Sequence, residues 1–227
     1  MTDKSIEAQC ERISAKLTTA KRIDSNNSAF GASTHHYGID GKLPQNELDE
    51  FEATHSIVLP DEYKAFLTKI GNGNKTPQLS EKHMTNGCCA GPYYGLFPFG
   101  KYLSIGDNVV LSKTPTIVPN YPVEDWEKIL DRLDEPNISD EKFDAIEDEI
   151  FSGILPLGHQ GCTGWQGLIL LGKYVGRIVY LDEDLNSPPF FTKYDNFLDW
   201  YESWLDGVIT GPNETSDFEG TIYLASS

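Results

Sequence analysis

The segment that most constrains the fold runs from Leu59 to Gly73 and reads LPDEYKAFLTKIGNG. Pro60 suits the first position of a helix, where a missing N–H costs nothing, and two acids follow it at the positive end of the helix dipole. The closing Gly-Asn-Gly tolerates positive φ, so it predicts that the helix stops and the chain turns. Four apolar residues recur at helical spacing and predict one buried face: Tyr63, Phe66, Leu67 and Ile70.

Two further helices are predicted before this segment. Residues 1–20 form one, and Leu48 to His55 form a short second one with an acidic outer side. Residues 21–42 between them are rich in Ser, Asn, Gly and His and show little periodicity, which predicts a loop or linker. His35 and His36 fall in this linker and are expected to be solvated. The stripe of the first helix is Ile6, Cys10, Ile13 and Leu17.

Three more helices are predicted in the second half of the chain. The stretch from Trp126 to Leu133 has apolar residues at i, i+3, i+4 and i+7. Ser139 is placed as the N-cap of the next helix. Asp195 can cap a last, aromatic-rich helix that Gly207 ends. The inner face of the helix after Ser139 is predicted to consist of Phe143, Ile146 and Ile150.

Strands are predicted mainly between residues 154 and 182. Residues 155–157 precede a glycine-rich turn, and residues 168–171 and 178–181 flank a short Gly-containing loop as a hairpin. Residues 168–171 are apolar on both faces, so we expect helices to cover both sides of the sheet there. Residues 74–122 predict short strands or irregular loops, and residues 221–224 predict an edge strand.

The order of these segments resembles the SUKH superfamily, of the Smi–Knr cell-wall-regulator type, over roughly residues 43–207. The resemblance implies an α+β fold, a single domain with a mainly antiparallel sheet flanked by helices. Residues 1–20 would then be an N-terminal helix, residues 21–42 a linker, and residues 208–227 a C-terminal extension. The motifs that carry the resemblance are Leu59–Gly73, Ile154–Gly158, Gly176–Tyr180 and Tyr194–Leu205.

The resemblance also implies a protein-binding module rather than an enzyme. Bacterial domains of this kind look like immunity proteins, which bind and neutralise toxin domains, often nucleases. A related fungal domain is tied to cell-wall synthesis and signalling, so a regulatory scaffold is the alternative. Many members place Gly-Asp before the first hairpin strand, where this chain has Gly164-Trp165-Gln166-Gly167, so no role of that acidic position is carried over.

Acidic residues dominate the charge of the chain, with 35 Asp and Glu against 18 Lys and Arg and a net charge of −17. This balance argues against direct nucleic-acid binding, because phosphate recognition needs clustered cations. Residues 121–151 and residues 182–227 each carry a net charge of −9, so the surplus is concentrated. The predicted partner-binding residues are Glu124, Asp125, Glu127, Asp131, Asp134, Asp140, Asp144, Glu147 and Asp148.

Two readings of these acids remain open. They form a solubilising surface, as most charge runs do, or an electronegative patch that steers a basic partner. On helical spacing, Asp140, Asp144 and Glu147 are predicted to share an exposed face, opposite the apolar stripe. The leading hypothesis is an immunity protein that binds a basic toxin, possibly a nuclease.

Three groups of residues are candidates for catalytic or metal sites. Cys162, with His159 nearby, suggests a cysteine hydrolase, but a nucleophile also needs a base within reach and an orienting group, so a structural turn is favoured. Cys88, Cys89 and His83 lack the spacing of zinc ligands, and the Asp-Glu-Asp at 182–184 lacks a calcium-loop pattern. We therefore expect no catalytic residue, no metal and no cofactor.

The charges and hydrophobicity of the first residues predict where in the cell the protein is located. The first twenty residues carry five charged side chains from Lys4 to Lys16 and no apolar signal region, and the chain has no stretch of eighteen uncharged apolar residues. The sequence therefore predicts a cytoplasmic protein with reduced cysteines and no membrane partner.

Overall fold

A computed structural model describes residues 3–72, 89–106 and 109–211. The predictions made for Thr221–Leu224, His83 and Cys88 lie outside these residues. No helix in the described ranges is long and apolar enough to cross a membrane. The helices are α1 (Asp3–Ile23), α2 (Ala32–His35), α3 (Gln45–His55), α4 (Asp61–Ala65), α5 (Val123–Leu133), α6 (Asp140–Phe151) and α7 (Phe197–Thr210). The strands are β1 (Ile154–Gly161), β2 (Gly164–Ile169), β3 (Ile178–Asp182) and β4 (Phe190–Phe191).

The four strands form one antiparallel sheet in the order β1-β2-β3-β4. Leu168 pairs with Ile178, which confirms the predicted hairpin between β2 and β3. Helices precede and follow the sheet along the chain. The α+β fold with a mainly antiparallel sheet is therefore confirmed.

Each face of the sheet contributes to its own hydrophobic core. Leu168 and Leu170 belong to a core that also contains buried residues of α1, α3, α4 and α7. Ile169 belongs to a second core with buried residues of α5 and α6. Successive strand residues point to opposite faces, so a run that is apolar at every position is buried from both sides. The predicted two-sided burial is confirmed.

The sequence predicts a glycine-rich turn after residue 157, but most of residues 158–167 belong to β1 and β2, so the turn is shorter than predicted. Only Cys162 and Thr163 lie outside the two strands. The glycines serve close approach: a Cβ on Gly158 would lie 2.4 Å from the carbonyl oxygen of Gly95, and one on Gly167 would lie 2.4 Å from Ile154 Cγ2. Glycine therefore makes room for neighbours inside the sheet.

The described part of the Leu59–Gly73 segment, residues 59–72, folds as α4 and continues as a π-helical turn, Phe66–Ile70. Pro60 is the N-cap rather than the first helical residue. At Gly71 a Cβ would lie 2.2 Å from the carbonyl oxygen of Asp40. Asn72 has a φ of 79° and its side-chain amide donates to Phe97 O at 2.9 Å. The end of this helix therefore joins two loops that are distant in sequence.

Helix α1 is part of the folded body and lies along α7. Its buried residues Ile13 and Leu17 belong to the same core as α7. At the surface, Glu202 of α7 pairs with Arg12 at 3.1 Å and Lys16 at 3.0 Å. Burial raises the pKa of Glu202, but hydrogen bonds from Arg12, Lys16 and Gln9 outweigh it and leave the pKa below its usual value. The helix ends at Ile23, three residues later than predicted.

Residues 21–42 contribute to the core, so the expectation that His35 is solvated is wrong. His35 is buried between Tyr37 and Trp204, with ring centroids 5.3 and 5.8 Å away, and only His36 is exposed. Asp24 accepts hydrogen bonds from Tyr37 and from Ser28 and Ala29, which outweigh burial and lower its pKa to about 2. The polar composition of this stretch serves buried hydrogen bonds.

Burial lowers the pKa of His35 to about 4, so His35 should make the fold sensitive to mild acid. An unfolded histidine titrates near 6.5 and the folded one lower, so the unfolded state binds more protons as the pH falls. From about pH 7.5 to about pH 5, we expect the free energy of unfolding to fall by about 2 kcal/mol through this residue. Urea unfolding at the two pH values measures the loss.

Two glutamine variants form a matched pair for this measurement. His35→Gln should remove most of the loss, because glutamine does not titrate. His36→Gln changes the exposed neighbour and should keep the full loss. Equal pH dependence in the two variants would contradict the assignment to His35.

The last helix differs from prediction at both ends. Asn196, not Asp195, is its N-cap, and the Asn196 side chain accepts from the Asp199 N–H. The helix continues past Gly207 to Thr210. Asparagine and aspartate are equally good caps, so sequence preference does not separate adjacent candidates.

Candidate functional site

Four of the predicted partner-binding acids form a stripe along the outer side of α5. We call Glu124, Glu127, Asp131 and Asp134 the α5 acidic stripe. All four are exposed, while Trp126 and Ile129 on the opposite side are buried in the second core. Spacings of three and four residues place the first three carboxylates on one side of the helix, and Asp134 is the C-cap that directly follows it. Val123 and Leu130, exposed by 73% and 36%, border the stripe.

The cations near the stripe are already paired with other acids. Lys128 pairs with Asp125 at 2.6 Å, Arg132 pairs with Glu149 at 2.7 Å, and Lys142 pairs with Glu135. Across the described ranges, no Lys or Arg pairs with a member of the α5 acidic stripe. Its negative charge is therefore open to solvent and to a partner.

The acids of α6 do not share one exposed face, so that prediction is wrong. Asp140 is exposed and Asp144 is half-buried, but Glu147 is only 9% exposed. The loop before α5 covers Glu147: a Cβ on Gly106 would lie 2.8 Å from its Oε2. Hydrogen bonds from Lys113 and Ser152 lower the pKa of Asp148 and fix it within the fold.

The predicted inner face of α6 is correct for Ile146 and Ile150, which are buried, and wrong for Phe143, which is 38% exposed. The second core contains Ile146, Ile150 and Phe151. The last two turns of α6 therefore supply the buried surface, and the first turn contributes an exposed aromatic ring and Asp140.

The second acidic segment is partly neutralised inside the fold. Glu202 and Asp206 of α7 both pair with Lys16, and Asp199 accepts from Gln9. These bonds hold α1 on α7, so they are structural. These α7 acids therefore differ from the α5 acidic stripe, which is exposed and has no Lys or Arg partner among the described residues.

A cleft beside the β1–β2 turn was not predicted from the sequence. It has a volume of about 550 Å³ and is open to solvent. We call it the hairpin cleft. Its side chains are Tyr94, Phe97, Tyr102, His159, Cys162, Trp165 and Glu183.

Trp165 organises the hairpin cleft. Its ring centroid lies 5.5 Å from that of Phe97, 5.8 Å from that of Tyr102 and 5.3 Å from that of His159. Its indole N–H donates to Glu183 Oε2 at 3.0 Å. The pairing of His159 with Trp165 across β1 and β2 places both rings on one face. Only tertiary packing brings Phe97 and Tyr102 to this strand pair, so sequence spacing gave no signal for the cleft.

Cys162 and His159 do not form a hydrogen-bonded pair in the described contacts. Cys162 is exposed at the β1–β2 turn with a φ of 47°. His159 Nδ1 accepts from the Gly161 N–H at 3.0 Å, and burial lowers the pKa of His159. That ring nitrogen is therefore committed to the backbone of the turn.

The described residues hold no cluster of three or more His, Cys, Asp or Glu that could bind a metal. Cys89 is buried, and its sulfur accepts from the Asp40 N–H at 3.4 Å. The Asp182 carboxylate accepts from the Asp184 N–H and from Ser187, so it caps its own turn.

Comparison with known proteins places the chain in a family. The model of the SMI1 / KNR4 family (SUKH-1) matches residues 42–203, which contain α3 to α6, all four strands and the first half of α7. The comparison with curated proteins found no match. The comparison with solved structures found none either. Since the family match covers well over half of the sequence, the chain belongs to the SMI1 / KNR4 family (SUKH-1).

Proposed function

We propose that the protein is a cytoplasmic, non-enzymatic immunity protein that binds and neutralises a basic toxin domain. The observation that carries this proposal is the α5 acidic stripe, which is exposed and has no paired Lys or Arg among the described residues. Membership of the SUKH-1 family supports a role in protein–protein interaction.

The chemistry of the stripe suits a cationic partner. Exposed carboxylates on one helix side attract a positively charged protein and raise its association rate, most strongly at low salt. Val123 and Leu130 supply apolar surface beside the charges, which matches the usual arrangement of an apolar interface core with a polar rim. A nuclease toxin carries cations for its phosphate substrate, so such a toxin complements this surface.

Gene neighbourhood supplies the direct test. Co-expression with a toxin encoded next to this gene should restore growth, and the two purified proteins should form a complex. A neighbouring toxin that kills in the presence of this protein and does not bind it would overturn the proposal. Binding to a cell-wall regulator with no toxin encoded nearby would favour the scaffold alternative.

Charge reversal of the stripe should slow complex formation. We expect the variant Glu124→Lys, Glu127→Lys, Asp131→Lys to lower the association rate constant by about tenfold or more at low salt, since steering contributes factors of this order. The difference should shrink as salt screens the charges. Stopped-flow or surface-plasmon measurements over a salt series give the rate constants.

A control variant has the same change in net charge. Glu11→Lys, Asp49→Lys, Glu50→Lys alters three exposed acids of α1 and α3. This variant should keep most of the association rate, because its charges lie on other helices. If both variants slow association equally, the overall charge matters and the α5 acidic stripe is a solubilising surface.

A further inference from the structure

We propose that the hairpin cleft binds the guanidinium group of an arginine side chain that projects from a basic protein partner. The basic partner is taken from the proposed function, while the cleft and its ligand chemistry rest on their own geometry. The cleft is separate in sequence from the α5 acidic stripe and uses different chemistry: aromatic rings around one carboxylate.

Aromatic rings make this cleft suited to a cation. Ring faces carry negative quadrupole charge, and tryptophan is the strongest of the aromatic partners for guanidinium. Phe97 is buried beneath the cleft, while Tyr94, Tyr102 and Trp165 are half-buried and reachable from solvent. The Lys101 ammonium lies 4.8 Å from the centroid of Tyr102, which shows that a ring of this cleft already accepts a cation within the chain. We therefore place the incoming guanidinium group against the Trp165 ring and beside the carboxylate of Glu183.

Glu183 supplies the charge that distinguishes this cleft from a purely apolar groove. Its carboxylate is exposed and is positioned by the Trp165 indole N–H at 3.0 Å, and its backbone N–H donates to Thr163 O at 2.8 Å. No Lys or Arg of the described portion pairs with Glu183. A carboxylate accepts a guanidinium through two parallel hydrogen bonds, which gives arginine an advantage over lysine.

The remaining polar group of the cleft does not oppose a cation at neutral pH. Burial lowers the pKa of His159, so its ring is neutral there. Its Nδ1 accepts from the Gly161 N–H, which orients the ring edge toward Trp165 with an interplanar angle of 78°. The residues that line the cleft therefore present rings and one negative charge, and the Lys101 ammonium lies beside the Tyr102 ring.

The test uses a short blocked peptide that contains one arginine and a matched peptide in which citrulline replaces it. Citrulline keeps the planar shape but is neutral. The arginine peptide should shift the Trp165 indole N–H resonance in ¹H–¹⁵N NMR spectra with a dissociation constant in the millimolar range. The citrulline peptide should give a much smaller shift. Equal shifts from both peptides, or no shift from either, would overturn the proposal.

Two variants locate the charge that is responsible. Glu183→Gln should weaken arginine-peptide binding by about tenfold, because a charge-assisted bond becomes a neutral one while the acceptor for Trp165 is kept. Asp184→Asn removes an exposed acid from the next position, which does not line the cleft, and should leave the affinity unchanged. Equal losses in the two variants would show a general charge effect and overturn the assignment to Glu183.

The outcome is separable from that of the proposed function. The α5 charge-reversal variant should bind the arginine peptide like the parent protein. If the cleft binds no arginine but that variant loses toxin association, this inference fails and the proposed function stands. If the cleft binds arginine but the toxin encoded next to this gene does not bind the protein, the proposed function fails. The assignment of the cleft as an arginine-binding site then stands.

Discussion

The variant Gly158→Ala should lose about 3 kcal/mol or more of unfolding free energy, at or above the upper end of the usual cost of overpacking. Gly158 lies in β1, and an added Cβ would lie 2.4 Å from the carbonyl oxygen of Gly95. This neighbour is backbone, so no side-chain rotation relieves the contact. The loop that carries Gly95 is also tied to β1, since the Phe97 N–H donates to Leu157 O at 2.7 Å. The strand and loop must separate to admit one methyl group.

Urea unfolding of Gly158→Ala measures this loss. Gly41→Ala is the matched control, because no atom lies within 4 Å of a Cβ built there. It should be neutral or slightly stabilising, since alanine restricts the unfolded chain more than glycine does. A Gly158→Ala protein as stable as Gly41→Ala would show that the loop does not press on the strand.

The variant Ile13→Ala should cost about 2–5 kcal/mol, as large-to-small substitutions at buried sites do. Ile13 has no exposed surface and belongs to the core that includes Trp200 and Tyr201 of α7. Removing its outer carbons leaves a cavity that neighbouring rings cannot fill without moving. The size of the loss shows whether α1 unfolds together with the remainder of the domain.

Thr18→Ala is the control in the same helix. Thr18 is exposed, and its hydroxyl bonds only to the Ser14 carbonyl one turn earlier, so the change should lie within about 0.5 kcal/mol. If Ile13→Ala cost no more than Thr18→Ala, α1 would not contribute to the stability of the domain. That result would support the prediction that residues 1–20 form an N-terminal helix outside the domain. The division at residues 20 and 42 stays a prediction until this is measured.

Part of the candidate site could be predicted from the sequence. For α5, the predicted apolar stripe is correct for Trp126 and Ile129, which are buried, and wrong for Leu130, which is 36% exposed. For α6, the same reasoning misplaces Glu147, because a loop packs over that side of the helix. Helical periodicity gives angles around an axis, and it does not say how much of the circumference neighbouring segments cover.

The hairpin cleft could not be predicted in this way. Trp165 lies in β2 and Glu183 directly follows β3, while Tyr102 comes from an irregular loop more than sixty residues earlier. Rings from such distant positions meet only when the sheet register and the loop path are fixed. The glycines near the cleft were misleading. A glycine-rich stretch predicts a turn because glycine tolerates positive φ, but Gly158 and Gly167 are glycines because their neighbours leave no room for a Cβ.

The α+β class was implied by the resemblance to a family. By itself, the sequence determined the β2–β3 hairpin, most of the helices and the two-sided burial of the sheet. These features follow from local periodicity and turn chemistry, which act over a few residues. Tertiary structure alone decided that α1 packs on α7 through Lys16 and Glu202, that His35 is buried, and that acids of α7 pair with α1 while the α5 acidic stripe stays exposed without cations. Burial and charge pairing depend on which distant segments meet. Contact between such segments removes surface from water that the isolated segments would leave exposed.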